Sequence, residues 1–153
     1  MKSKFTLNSI SPFLFVLLII FSVGCKKDKV SNTERLTNKS WKVVALTVSP
    51  GIDVNGTVIT DFYSQLADCN KDDIYTFSTN KTYTIDEDGL KCNQIDPQTT
   101  TGVWSFNSDE TVLTLDNTTS YSIIQLDDNT LKASYSEVTN GINYTYTITF
   151  NKQ

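Results

Sequence analysis

Histidine is absent from this chain of 153 residues. Without it, the Ser-His-Asp and Cys-His arrangements that activate a nucleophile cannot form, and imidazole ligands for zinc are excluded. Most general bases that work at neutral pH are lost as well. Carboxylate pairs and metal-assisted chemistry stay open, but no residue spacing recommends them. The sequence therefore favours a protein that is not an enzyme and that carries no cofactor.

Positive charge is also scarce, with 13 Lys and Arg against 17 Asp and Glu and a formal net charge of −4. Proteins that bind nucleic acid use clustered Lys and Arg to neutralise phosphates, so no nucleic-acid partner is expected. Only Lys26, Lys27 and Lys29 lie close together. These three can face lipid headgroups or simply belong to a solvated linker.

The chain has no apolar run long enough to span a membrane, because Phe13–Phe21 falls short of the roughly 20 residues required. Lys2 and Lys4 precede this run, an order typical of a secretory leader. The small residue and Cys25 that follow resemble the lipobox of bacterial lipoproteins, although Ser22 stands where that family usually has Leu.

The lipobox resemblance implies cleavage before Cys25 and a lipid such as palmitate on its side chain. Such a lipid would bind the protein to a bilayer of the cell envelope, as an outer-membrane lipoprotein on either the periplasmic or the surface face. An ordinary secretory leader with a chance Cys is the alternative. The predicted organisation is a leader over residues 1–24, the lipidated Cys with a tether over 25–38, and one domain over 39–153, too short for two cores.

From Trp41 onward the sequence is rich in Thr, Tyr, Val, Ile and Phe, with turn residues about every ten positions, which predicts strands. The eight predicted strands are Ser40–Ser49, Asp73–Ser78, Thr82–Asp86, Thr101–Asn107, Thr111–Asp116, Ser120–Leu126, Thr130–Ser136 and Ile142–Phe150. Short turns between consecutive strands favour a closed, antiparallel up-and-down barrel, with a two-sheet sandwich as the alternative. A short helix is predicted over Asp61–Ala67, on the first long connection; an irregular loop is the alternative.

The connections differ in length in a regular way: those after the second, fourth and sixth strands are tight, and those after the first and third are long. Alternate connections of such a barrel lie at the same end, so one end is predicted closed and the other is a mouth with long loops. Trp41, at the start of the first strand, is expected to plug the closed end. Trp104 is expected about 10 Å inside the mouth, with Gly102 leaving room for a guest.

Inward-facing rings of such a barrel are candidate ligand contacts, because an eight-stranded interior is either just filled or holds one small ligand. The candidates for this cup are Trp104, Phe106, Tyr75, Phe77, Tyr83, Tyr144 and Tyr146.

Cys69 and Cys92 are equidistant from the middle of the second hairpin if that hairpin is centred between Asn80 and Lys81. Exported chains meet an oxidising environment, so the pair is predicted to form a disulfide. A redox-active pair is the alternative, although the spacing is far from C-x-x-C.

The same hairpin gathers acidic residues at the predicted mouth, and carboxylates are the ligands that calcium prefers. Asp72, Asp73, Asp86 and Asp88 are therefore a weak candidate for a cation site, while no metal site is predicted outright. Asp-rich turns also form for reasons of local hydrogen bonding alone, which is the alternative explanation.

Several short motifs occur in a fixed order along the domain: Leu36-Thr37 before Trp41-Lys42, Cys69 before Asp72-Asp73-x-Tyr75-x-Phe77, Thr82-Tyr83-Thr84, Lys91-Cys92, Asp96-Pro97 and Gly102-x-Trp104-Ser105-Phe106. Together they resemble the lipocalin-like domains of bacterial (Gram-negative) envelope lipoproteins of unassigned function. The resemblance implies an eight-stranded barrel whose cup binds a small apolar molecule. Lys39 replaces the Gly of the lipocalin G-x-W motif, and no catalytic or ligand residue can be carried over.

Two functions are consistent with these features. One is a small-molecule carrier or sensor with an open cup and no catalysis. The other is a periplasmic or cell-surface interaction module, in which the barrel core is filled and the loops contact a protein or glycan. The volume inside the barrel discriminates between them.

Overall fold

The computed structural model describes residues 30–153. The predicted leader, Cys25 and the first part of the tether lie outside the described residues. Among the described residues, no helix is long and apolar enough to cross a membrane.

The described chain is almost entirely β-structure. Its strands are β1 (Ser40–Val54), β2 (Thr57–Asp61), β3 (Ile74–Phe77), β4 (Thr82–Asp86), β5 (Thr99–Phe106), β6 (Val112–Leu115), β7 (Thr119–Leu126), β8 (Thr130–Thr139) and β9 (Ile142–Lys152). Helix α1 (Asn32–Leu36) precedes them, and a 3-10 turn (Tyr63–Gln65) and helix α2 (Asp68–Lys71) lie between β2 and β3.

Strands β1 and β3 to β9 form a closed barrel of eight antiparallel strands. Each strand pairs with the next, and β9 pairs back with β1 from Trp41↔Lys152 to Ser49↔Thr145. The predicted up-and-down barrel is confirmed, and the sandwich alternative is wrong because the sheet closes on itself.

The remaining strand, β2, pairs only with the outer part of β1, from Thr47↔Asp61 to Val54↔Thr57. Together they form a hairpin arm where the sequence predicted only a long connection after Ser49. Asn55 and Gly56 link the two strands with φ values of 53° and 83°. These positive values suit a two-residue type I′ turn, whose usual Asn-Gly signal was overlooked.

The predicted helix over Asp61–Ala67 is only partly present. The Asp61 carboxylate accepts a hydrogen bond from Ser64 N at 3.2 Å, as expected of a capping residue. A single 3-10 turn follows, and Leu66 is already extended at φ −68° and ψ 141°. The apolar residues that suggested a helix have separate tertiary contacts instead, since Phe62 packs against Tyr146 and Leu66 lines the barrel interior.

The two ends of the barrel differ as predicted. The closed end consists of the tight turns at 78–81, 107–111 and 127–129, together with α1. Leu36 and Trp41 are completely buried there, and Trp41 Nε1 donates a hydrogen bond to Leu36 O at 2.9 Å. Trp41 therefore plugs the closed end. The mouth, at the opposite end, carries the long connections 62–73 and 87–98.

Candidate functional site

A cavity of about 390 Å³ lies inside the barrel, between the buried closed end and the mouth. Its lining is mostly aliphatic and aromatic, with residues from six barrel strands and from the connection between β2 and β3. The lining residues are Val43, Leu46, Leu66, Asn70, Asp73, Tyr75, Phe77, Leu113, Leu115, Tyr121, Leu131, Ala133, Ile148 and Phe150.

The period-two alternation of β8 and β9 explains the apolar wall of this cavity. Leu131 pairs with Phe150 and Ala133 pairs with Ile148, and all four side chains face inward. Residues two apart on a strand share a face, so the intervening polar residues face outward. Ala133 is the smallest residue of the wall, and its missing volume contributes to the space.

Two of the predicted cup residues line the cavity. These are Tyr75 and Phe77 on β3, and the Tyr75 ring packs edge-on against Phe150 with centroids 5.3 Å apart. Burial raises the pKa of Tyr75 to about 12, and Asp73, Tyr121 and Glu87 add to the shift.

Trp104 lies at the closed end, and the expectation that it sits near the mouth is wrong. Its indole Nε1 donates to Ser78 O at 3.1 Å, and its backbone N–H donates to Lys81 O at 2.9 Å. The Lys81 Nζ lies 3.9 Å from the ring centroid. Ser78 and Lys81 belong to the β3–β4 turn at the closed end. The stagger of β5 against β4 therefore places Trp104 further from the mouth than the number of residues along β5 indicated. Phe106 is two residues further along β5 and also lies outside the cavity lining.

The space above Gly102 is occupied by Tyr83, and it does not provide room for a guest. A Cβ built on Gly102 would meet the Tyr83 ring at 2.5 Å and would lie even closer to Asp116 Oδ1. The Tyr83 hydroxyl donates to Asp116 Oδ2 at 2.6 Å. Burial, followed by this hydrogen bond, raises the pKa of Tyr83 to about 12. Tyr83 is thus a packing residue of the core.

Above the cavity, towards the mouth, four rings form an arc that the sequence identified only in part. Tyr146 stacks on Tyr135 with centroids 5.0 Å apart, and its edge contacts Phe62 at 6.0 Å. Tyr135 in turn packs edge-on against Tyr121 at 5.4 Å, and Tyr121 reaches the cavity. We call Phe62, Tyr146, Tyr135 and Tyr121 the aromatic arc.

The other predicted ring of β9, Tyr144, pairs with Glu137 one step nearer the mouth and is half-buried. Tyr121 was predicted as an interior ring but was not among the cup candidates. Tyr135 was missed, although the alternation of Leu131, Ala133 and Tyr135 along β8 places Tyr135 on the inner face.

Asp73 is the charged residue of the cavity lining. Its Oδ1 is buried and has no hydrogen-bond partner among the described residues. Burial raises the pKa of Asp73 to about 6, and the negative charges of Glu87, Asp72 and Asp86 raise it further, whereas Lys42 acts in the opposite direction.

Two of the other candidate cation ligands accept hydrogen bonds within the loops, although Asp72 Oδ1, like Asp73 Oδ1, is buried without a partner among the described residues. Asp72 Oδ2 accepts from Leu90 N at 2.8 Å, and Asp86 Oδ1 accepts from Asp88 N at 2.9 Å and from Gln98 Nε2 at 2.8 Å. The hydrogen bond from Gln98 is the main cause that lowers the pKa of Asp86. Within residues 30–153, no group of three or more His, Cys, Asp or Glu residues is arranged to hold a metal ion.

The predicted disulfide between Cys69 and Cys92 is confirmed, with Cα atoms 5.1 Å apart. It ties α2 to the long β4–β5 loop at the mouth. The hairpin register used to predict it is off, because Phe77 pairs with Tyr83 and the hairpin is centred on Asn80. Lys81 adopts φ 70° and adds a residue to the turn, which shifts the pairing.

Comparisons with known proteins found a matching family model and similar solved structures. A family model described as a lipocalin-like domain matches residues 28–133. Among solved structures, the odorant-binding protein from bovine nasal mucosa is 16% identical, with 84% of this chain and 77% of that chain covered and a TM-score of 0.42. A complex of bovine odorant-binding protein with a selenium-containing odorant is 17% identical, with 84% and 76% covered and a TM-score of 0.40. No curated protein matches the chain.

Proposed function

Because this chain belongs to the lipocalin-like domain family, we propose that it binds a small apolar molecule in its barrel and performs no chemistry on it. The observation that carries this proposal is the cavity of about 390 Å³ with a mainly aliphatic and aromatic wall. Ligand pockets have volumes of about 300–1,000 Å³ and few polar groups. A barrel filled by its own side chains would have favoured the interaction module.

The test is a titration with N-phenyl-1-naphthylamine, an uncharged apolar dye whose emission rises in apolar surroundings. Wild-type protein is expected to bind it saturably. Ala133→Phe fills the cavity from β8 and should weaken binding at least about tenfold, since apolar groups compete for one volume. Leu66→Trp narrows the cavity from a connection, where a larger side chain disturbs folding less.

The matched control is Val103→Trp, which places the same large ring on the outer face of β5, where Val103 is 45% exposed. This variant should bind the dye like the wild type. A flat titration of wild-type protein that is folded by circular dichroism would contradict the carrier. If all three variants bind the dye equally well, the dye binds outside this cavity.

The proposed carrier is held at a bilayer of the cell envelope by a lipid on Cys25. Support comes from α1, which docks at the closed end: Asn32 N donates to Glu110 Oε2 at 2.6 Å and Thr33 Oγ1 donates to Glu110 Oε1 at 2.5 Å. A lipid anchor N-terminal to α1 would hold the closed end towards the membrane, so the mouth would face away from it.

Metabolic labelling with an alkyne analogue of palmitate tests the anchor. The wild type is expected to take up the label and to fractionate with membranes, whereas Cys25→Ser should do neither. An unlabelled wild type, or a labelled Cys25→Ser chain, would contradict lipidation at this residue without affecting the cavity proposal.

The interaction module stays as a second candidate because of two hairpin tips. Val54 and Val58 on the β1–β2 arm are 45% and 64% exposed, and Val138 and Ile142 at the β8–β9 tip are 70% and 45% exposed. Exposed aliphatic side chains at hairpin tips are suited to contacting a protein or a glycan. A flat dye titration would make this the better account.

A further inference from the structure

The polar atoms of the cavity wall restrict what kind of apolar molecule fits it. Besides the hydroxyls of Tyr75 and Tyr121, the polar side chains of the wall are Asn70 and Asp73. Asp73 Oδ1 is buried without a hydrogen-bond partner among residues 30–153. An ionised carboxylate only accepts hydrogen bonds, and a buried acceptor without a donor is unfavourable. Asp73 is therefore a carboxylate of the cavity wall whose hydrogen-bond acceptors the described residues do not fully satisfy.

No cation of the described chain supplies that donor. The ion pairs of the described residues are Lys39–Asp128 and Lys71–Asp68. Lys91 donates to the backbone oxygens of Gln94 and Asp96. The lysines of the mouth connections are thus directed to other acceptors.

The charges around Asp73 favour one sign of ligand. Asp72, Asp86 and Glu87 add negative charge beside it, and Lys42 is the single opposing charge that acts on it. In a partly desolvated site, this arrangement attracts a cation and repels an anion. A fatty-acid anion with its carboxylate at this position would meet four carboxylates.

We propose that the ligand of the cavity is an apolar amine, held with its protonated nitrogen against Asp73 and its hydrocarbon part among the side chains of Leu131, Ala133 and Ile148. This inference rests on the proposed binding function and specifies its ligand class. Asp73 forms a charge-assisted hydrogen bond with the ammonium group, and the apolar wall removes the hydrocarbon from water. Tyr75 and Tyr121 line the same cavity, and a phenol oxygen can also accept a hydrogen bond.

The experiment compares three competitors of equal chain length, decylamine, decanol and decanoate, which displace N-phenyl-1-naphthylamine at about pH 7.5, where the amine is protonated and the acid ionised. Wild-type protein should bind decylamine at least about tenfold more tightly than decanoate, with decanol between them. Asp73→Asn has the same shape without the charge. It should bind decylamine about tenfold more weakly than the wild type and leave decanol unchanged.

Asp128→Asn is the control, since it removes one negative charge from an exposed residue at the closed end. It should keep the wild-type order of the three competitors. Saturable dye binding with no preference for decylamine, or an unchanged preference in Asp73→Asn, would overturn the amine proposal and leave the binding function standing. Absence of dye binding by folded wild-type protein would overturn both.

Discussion

At the scale of single residues, Gly102 illustrates how one absent methyl group fixes the packing of two strands. Tyr83 covers this glycine across the β4–β5 pair. We expect Gly102→Ala to lower the free energy of unfolding by about 1–3 kcal/mol, because the added Cβ forces the Tyr83 ring and Asp116 apart. Urea denaturation measures this difference.

Gly89→Ala is the control for that substitution. The nearest atom to a Cβ at Gly89 is Asp72 Oδ2 at 3.7 Å, an ordinary contact. This variant should unfold like the wild type. Equal stability of the two alanine variants would show that the strands accommodate the methyl group.

Asp73 should make the stability of the protein depend on pH in an unusual direction. Its pKa of about 6 lies above the ordinary 3.8, so the folded state binds more protons than the unfolded state between these values. The stability that this residue contributes is present below its unfolded pKa and is lost as the pH rises through about 6.

Asp73→Asn should therefore be more stable than the wild type above about pH 6, by on the order of 1 kcal/mol after allowance for solvent screening, and the difference should vanish near pH 4. Thermal unfolding of both proteins across this range provides the measurement. A difference that is constant with pH would mean that the carboxyl is not perturbed in the native state.

Some positions of single residues could be predicted from the sequence, and others could not. Alternation along β5 correctly put Gly102, Trp104 and Phe106 on one face, but their height in the barrel depends on the stagger between neighbouring strands. That stagger follows from turn geometry and barrel closure, which residue spacing does not contain. The position of Trp41 at the closed end was predicted correctly, because Trp41 lies at the start of the first strand.

At the scale of elements, the disulfide is the connection between α2 and the β4–β5 loop at the mouth. Cys69 and Cys92 are separated by 23 residues. The double variant Cys69→Ala/Cys92→Ala should lose up to about 3 kcal/mol in the chain-entropy model, and less because the barrel already restrains the loop. Urea unfolding of the oxidised wild type, the reduced wild type and the variant separates the effect of the disulfide bond on stability from that of the cysteine side chains. Identical midpoints for all three would contradict a stabilising role.

Helix α1 depends on one side chain of the β5–β6 turn. The hydrogen bond from Thr33 is the main cause that lowers the pKa of Glu110, so the ionised carboxylate favours the folded state above its ordinary pKa and this contribution is lost as the pH falls. Glu110→Ala should cost about 1–2 kcal/mol through two lost side-chain hydrogen bonds.

Limited proteolysis provides the local readout for Glu110→Ala, with faster cleavage near residues 31–36 than in the wild type and unchanged cleavage elsewhere. Asp109→Ala, on the same turn, serves as the control because the Asp109 carboxylate accepts from Thr111 and, among the described residues, makes no hydrogen bond to α1. Equal protection of α1 in both variants would assign its docking to the buried Leu36 and to the hydrogen bond that Asn32 Nδ2 donates to Glu110 O, which the substitution leaves in place.

Element types were predictable because period-two alternation and turn residues reflect burial and backbone geometry directly. All eight barrel strands follow from them, and only β2 was missed. That strand lies on the exposed arm, where the alternation is weak, and the Asn-Gly turn was its stronger signal.

At the scale of the whole molecule, the positions of the tryptophans determine how binding can be observed. Trp41 and Trp104 both lie in the closed-end core and outside the cavity lining, with Trp104 edge-on to Phe77 of that lining at a centroid distance of 6.1 Å. Tryptophan emission of the wild type should therefore change less when decanol occupies the cavity than that of a tryptophan placed on the wall. In a Tyr121→Trp variant, the new ring lies on the cavity wall, and its emission should change saturably with decanol. A strong response of the wild type alone would place the ligand at the closed end.

The existence of the barrel and its two unlike ends could be inferred from the order and length of the connections. The cavity could not, because its volume is the difference between the space that eight strands enclose and the side chains that fill it. Single side chains decide that difference in volume. Ala133 is smaller than its neighbours in the wall, and the Tyr83 ring fills the space over Gly102. Neither is visible before the register is known.

The pairing of β9 with β1 also has a kinetic consequence. These strands come from opposite ends of the domain, yet they exchange one of the longest ladders of the barrel, from Trp41↔Lys152 to Ser49↔Thr145. Contacts between residues so distant in sequence slow folding, because the intervening chain must be ordered first. A growing or truncated chain that stops before Ile142 would keep two unpaired edges, on β1 and β8, and such edges recruit strands from other molecules. We therefore expect closure of this barrel to come late in folding and self-association to compete with it.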